Sequence, residues 1–88
     1  MPSYLVEMFL PRGAAGERTE RERRARSAAE ELTRKGTGVR FDRTIHVPED
    51  EICFFVFDAA SSQDAALAAQ LAELRPLRVV EAVSSGKG

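Results

Sequence analysis

Along the first ten residues Tyr4, Val6, Met8 and Leu10 interleave with Leu5, Glu7 and Phe9, and the run stops at Pro11-Arg12-Gly13. Alternation with period two, closed by turn residues, predicts a strand. Both of its faces are largely apolar, which predicts a central place in a sheet. From Glu17 to Lys35 the period changes. Ala25, Ala28, Ala29 and Leu32 fall at i, i+3, i+4 and i+7, one stripe of a helix, and most of the remaining positions are Arg and Glu. Five acid–base pairs stand four apart in the favourable order: Glu17–Arg21, Glu20–Arg24, Glu22–Arg26, Glu30–Arg34 and Glu31–Lys35. Gly36 is expected to cap this helix where φ turns positive. The first turns hold almost no apolar residue and are expected to project into solvent or to fray.

Val39 to Val47 alternates again, with Val39, Phe41, Arg43, Ile45 and Val47 on one face and Arg40, Asp42, Thr44 and His46 on a polar one. Pro48-Glu49-Asp50 supplies a turn. Ile52 to Asp58 follows as a strand apolar on both faces, hence central, and pairs with its predecessor as a hairpin. Ser61 and Ser62 open a second helix, with Ser61 and Asp64 spaced as a capping box. Leu67, Leu71 and Leu74 are expected to form its core stripe among many alanines, and Pro76 to stop it. Leu77 to Val83 reads as a last strand, and residues 84–88 as a loose polar tail.

The order is therefore β-α-β-β-α-β, the ferredoxin-like α+β arrangement, in a single domain over residues 1–83. It predicts a four-stranded antiparallel sheet with the first and third strands in the middle and two helices on one face. The other face then presents either Leu5 and Phe9, or Tyr4, Val6 and Met8, beside one apolar set of the third strand. A patch of that kind exceeds what a monomer usually exposes. The expected solution is a homodimer, sheet packed on sheet, forming a dimeric α/β barrel with a cavity between subunits. Glu7 shares its side of the strand with Leu5 and Phe9, where a carboxylate is costly unless it is paired, hydrated or metal-bound. Arg40, Asp42, Arg43 and His46 on the hairpin are its expected neighbours.

Composition narrows the reading. A chain of 88 residues buries only about 60–65% of the surface its unfolded form exposes, so its own core is marginal and gains from a partner. Its single cysteine, Cys53, precludes an internal disulfide, and one Cys with one His cannot build a zinc finger. A net charge of −1 argues against dedicated nucleic-acid binding. The charge is polarised all the same, with a basic front half and an acidic back half. The apolar run Ile52 to Phe57 is too short to cross a membrane. Glu7, Pro11 and Arg12 interrupt any leader-like stretch, so a soluble cytoplasmic protein is expected.

Tyr4-Leu5-Val6-Glu7, Val47-Pro48-Glu49-Asp50-Glu51, Phe55-Val56-Phe57-Asp58-Ala59 and the last strand, Leu77-Arg78-Val79-Val80-Glu81-Ala82-Val83, carry a resemblance over nearly the whole chain. Together they resemble a small ferredoxin-like family, first catalogued as a domain of unknown function and typified by a bacterial nickel-binding protein. The resemblance implies a dimeric α/β barrel that binds a small ligand, nickel or another divalent metal. The first helix departs from the family in its density of Glu and Arg. Eleven Arg against two Lys, with thirteen Ala, suit a high-GC bacterial genome.

A divalent ion would draw on imidazole, carboxylate or thiolate donors. The metal candidates are His46, Glu49, Asp50 and Glu7, with Glu51, Asp42 and Cys53 behind them. No HxH, HxxxH or CxxC spacing occurs, so a dimer would have to pair two copies of His46 or of the acidic turn. Read structurally, His46 is a solvent-exposed strand histidine beside that turn, and Cys53 a buried, inert thiol. The alternative function is a cofactor-free dimeric-barrel enzyme of isomerase, cyclase or monooxygenase type, with Glu7 or His46 as general base in an apolar cavity. A third is an interaction module using the charged first helix, whose interleaved Glu and Arg otherwise read as a solvated, salt-bridged face. No GxSxG, P-loop or GxGxxG motif is present, so acyl transfer, nucleotide hydrolysis and dinucleotide binding lack support.

Overall fold

A computed structural model describes residues 1–85 of the chain; the last three positions of the expected tail, 86–88, lie outside the described residues. The elements are β1 (Ser3–Phe9), α1 (Ala15–Arg34), β2 (Val39–Val47), a 3-10 turn (Pro48–Asp50), β3 (Ile52–Ala59), α2 (Ser62–Leu71) and β4 (Arg78–Ala82). The four strands form one antiparallel sheet in the order β2-β3-β1-β4, with β1 and β3 central. This is the ferredoxin-like β-α-β-β-α-β arrangement that the periodicity predicts.

The core lies between the helices and one face of the sheet. Val6, Met8, Phe55 and Phe57 of the sheet are at most 1% exposed, Tyr4 and Phe41 lie beside them, and Ala25, Ala28, Ala29 and Leu32 of α1 close over them. The end of α1 follows the expected chemistry. Gly36 takes φ +102, its N–H bonds to the Thr33 carbonyl at 3.1 Å, and the Thr37 N–H bonds to the Leu32 carbonyl at 2.9 Å. Those two bonds define a Schellman cap. The Thr33 hydroxyl then clasps both the N–H and the C=O of Val39, tying the helix to the start of β2.

Three expectations need correction. The first turns of α1 do not project into solvent: Arg18, Arg21, Glu22 and Arg24 are half-buried. Arg21 donates to the Phe9 carbonyl at 3.1 Å, so a guanidinium on a long stem replaces apolar packing at the sheet's end. In α2, Leu67 and Leu71 point outward at 44% and 43% exposure, and only Leu74 of the three leucines is buried. Ala65, Ala68, Ala69 and Ala72 make the buried face instead, because small side chains let the helix approach the sheet closely. That helix also ends at Leu71, before Pro76. Ala72 caps it and Glu73 takes the left-handed φ of +61. The start of α2 is as expected, with the Ser61 hydroxyl accepting from the Asp64 N–H at 3.2 Å.

The third correction concerns β2. Its register against β3 slips between Phe41 and Arg43, leaving Asp42 as a bulged residue. The extra residue reverses the alternation. Val39, Phe41, Thr44 and His46 therefore face the helices, while Arg40, Arg43, Ile45 and Val47 face the open side.

Candidate functional site

Cross-strand partners share a face, so the register assigns every candidate to one side of the sheet. Glu7 pairs with Phe54 on β3 and with Arg78 on β4, and Phe54 pairs with Ile45 on β2. These residues lie on the face without helices, together with Leu5, Val56 and Val80. Val56 is 2% exposed there and Leu5 and Phe54 are half-buried, whereas Phe9 and Ile45 are exposed. The partner of Glu7 is none of the four hairpin residues expected for it. Arg78 donates from Nε to Glu7 Oε1 at 2.6 Å. The pair is local: the Leu77 N–H bonds to the Glu7 carbonyl at 2.6 Å and delivers Arg78 to the neighbouring position.

The other charges of this face are also paired, and they sit at its border. Arg40 forms an ion pair with Asp58, whose second oxygen accepts from the Ser3 hydroxyl at 2.8 Å. Arg43 pairs with Asp42. The result is an apolar field running across all four strands, bounded at the start of β2 by a linked cluster of arginine–carboxylate pairs.

His46 belongs to the opposite side. The bulge at Asp42 turns it under α1, where its ring Nδ1 lies 3.4 Å from Arg18 Nη1 and its Nε2 is buried without a hydrogen-bond partner among the described residues. It is not the solvent-exposed strand histidine of the alternation. Its cross-strand partner is Cys53, in turn opposite Met8. Cys53 is fully buried. Burial pushes its thiol up to about 11; the nearby Arg18 and Arg21 pull the other way and Glu22 adds to the rise. A thiol so placed is a packing group and not a nucleophile.

Comparison with protein-family models, with curated proteins and with solved structures found no match. Geometry alone therefore carries the functional reading. Glu7 and His46 stand on opposite faces of one sheet and cannot act at one site within a protomer. Glu49 and Asp50 are exposed on the 3-10 turn, and the adjacent Glu51 accepts from the Arg12 N–H at 3.0 Å. Among the described residues no group of three or more His, Cys, Asp or Glu side chains is placed to hold a metal ion. No helix among them is long and apolar enough to cross a membrane.

Away from the open face, a groove of about 730 Å³ runs between α1 and the outer edge of β2. Ala29, Val39 and Phe41 form its floor, and Arg26, Arg34 and Arg40 stand around it. The Arg26 guanidinium lies 5.0 Å from the centroid of the Phe41 ring, a cation–π contact. Sequence reasoning missed both this groove and Arg78. Neither carries a motif, since each depends on which strands the topology makes neighbours.

Proposed function

We propose that the protein is a homodimer that binds a small ligand between its subunits, the two open sheet faces packing together to close an α/β barrel. The open face carries this reading. Leu5, Ile45, Phe54, Val56 and Val80 form one apolar field, with Glu7 paired to Arg78 within it and Arg40 paired to Asp58 at one end. Leaving such a surface in water costs roughly 25 cal/mol per Å², and two helices cover only the opposite face. An apolar chamber with a few polar groups at its margin is the ordinary construction of a small-molecule site. The Glu7–Arg78 and Arg40–Asp58 pairs supply those groups.

Of the four metal candidates Glu7 alone lies on this face, so nickel or another divalent ion between subunits would draw on Glu7 from both copies. The same residue serves the enzyme alternative less well, because Arg78 holds Oε1 and leaves only Oε2 of the carboxylate to act as a base. The small-ligand reading therefore stands ahead of both. A cytoplasmic location belongs to it, since that compartment keeps an unpaired thiol such as Cys53 reduced.

Light scattering coupled to gel filtration tests the proposal. The chain should run at twice its 9.7 kDa mass, and Phe54→Arg, which places a charge in the middle of the field, should give a folded monomer. A wild-type monomer at about 100 μM, where mass action favours association, would overturn it. Titration with nickel separates the metal version, in which saturable heat appears and Glu7→Gln removes it.

A further inference from the structure

The charged helix α1 contains an irregularity that a purely solvated face does not account for. Of its five acid–base pairs spaced four apart, three are formed: Glu17–Arg21 at 2.7 Å, Glu20–Arg24 at 3.7 Å and Glu31–Lys35 at 3.0 Å. The other two, Glu22–Arg26 and Glu30–Arg34, are not among the ion pairs of the described residues, although their spacing and order are the same. The two α1 arginines left out of those pairs, Arg26 and Arg34, both line the groove beside β2, where Arg40 of the strand joins them. Arg26 has turned from Glu22 to lie over Phe41. Arg34 stands two turns further along, about 12 Å away at 1.5 Å per residue.

Groove and arginines make one site. Its floor is apolar, formed by Ala29, Val39 and Phe41, each at most 8% exposed, and Met1, 70% exposed, adds the accessible apolar surface at its rim. Its volume of about 730 Å³ falls within the usual range for small-molecule sites, roughly 300–1,000 Å³. Its walls carry three guanidiniums against the single carboxylate of Glu30, and Arg40 alone of the three is committed to other carboxylates, Asp58 and Asp42. We propose that this groove binds an amphipathic carboxylate, with its aliphatic body along Val39 and Phe41 and its head group on Arg26 or Arg34. Guanidinium is the natural partner of a carboxylate because its planar fork bonds both oxygens. Glu30, between the two arginines, selects against a ligand charged along its length. This site is on the helix side of the edge strand and is separate from the sheet face on which the dimer is proposed.

Decanoate, used below its micellar concentration, is the probe. Titration followed by amide chemical shifts should show saturable binding, with the perturbed residues in 26–34 of α1 and 38–41 of β2. Arg34→Gln, an exposed substitution that leaves the core intact, or Arg26→Gln, whichever arginine holds the head group, should weaken binding about tenfold, the loss expected for one charge-assisted bond. Arg23→Gln, on another face of the same helix, should leave binding unchanged. Glu30→Gln should tighten it. The proposal is overturned if decanol binds as well as decanoate, if the double variant of Arg26 and Arg34 binds as wild type does, or if the shifts move on Leu5 and Phe54 of the open face. That last result would leave the dimer reading intact.

Discussion

Replacing Glu73 by glycine should make the protein more stable. Glu73 follows the cap of α2 with φ +61, a conformation that brings the Cβ of an L-residue against its own carbonyl. It is held there by a Schellman pair of bonds: its own N–H to the Gln70 carbonyl at 3.0 Å, and the Leu74 N–H to the Ala69 carbonyl at 2.9 Å. Arg24 adds a third tie by donating to the Ala72 carbonyl at 2.8 Å. The backbone conformation is thus set by its surroundings, while the Glu73 side chain is exposed and makes no ion pair among the described residues. Removing the Cβ relieves about 1–2 kcal/mol, and the extra freedom of glycine in the unfolded chain gives back about 0.4–1 kcal/mol. The balance is a gain of about 0.5–1 kcal/mol. For a domain of this size that raises the melting temperature by about 3–6 °C. Thermal denaturation followed by circular dichroism measures it, with Glu73→Ala as the comparison, since alanine keeps the Cβ and should lie within about 0.5 kcal/mol of wild type. If glycine destabilises the fold, or if alanine gives the same gain, the left-handed turn at residue 73 is not the source of the strain.

The burial pattern sets four further outcomes. Ala68→Leu should cost about 1–3 kcal/mol in urea denaturation, because Ala68 is fully buried and extra volume has nowhere to go. Leu67→Ala, on the outer face, should cost less than about 1 kcal/mol, the reverse of what a leucine-stripe helix would give. Cys53 should resist iodoacetamide in the folded protein at pH 8 and react once urea is added, because its thiol is buried and pushed up to about 11. The sign of the pH effect follows from the same shift. Between its ordinary value near 9 and 11 the unfolded chain has lost the proton that the folded one keeps, so stability falls as pH rises through that window. Cys53→Ala should flatten that part of the profile relative to wild type.

The fold was legible because its signals are local. Strand alternation, the Gly36 cap, the Ser61 cap and the two-sided apolarity of Tyr4–Leu10 and Ile52–Asp58 each report on a few neighbouring residues, and together they leave one topology. The candidate site was far less legible. A bulge has no reliable mark in sequence, so the single extra residue at Asp42 turned His46 from the surface to the helix side and brought Ile45 and Val47 to the open face. That Glu7 is costly on its face unless paired, hydrated or metal-bound is visible in the alternation of its strand. Its partner, Arg78, could be found only once β4 was known to lie beside β1. Leucine usually outranks alanine as a core signal, yet α2 buries its alanines because Phe41, Phe55 and Phe57 already fill the space over the sheet.

The bulge at Asp42 also bears on how copies of this chain can grow together. An edge strand offers its unpaired backbone to any passing strand, and continued pairing of that kind leads to fibres. β2 is one edge of this sheet, and at Asp42 its ladder is broken and its local twist increased, so a neighbour could not add along its full length. The other edge, β4, is five residues long. With both borders blunted, lateral polymerisation is disfavoured, and the face-to-face packing proposed above is of the kind that closes on itself at a finite number of subunits.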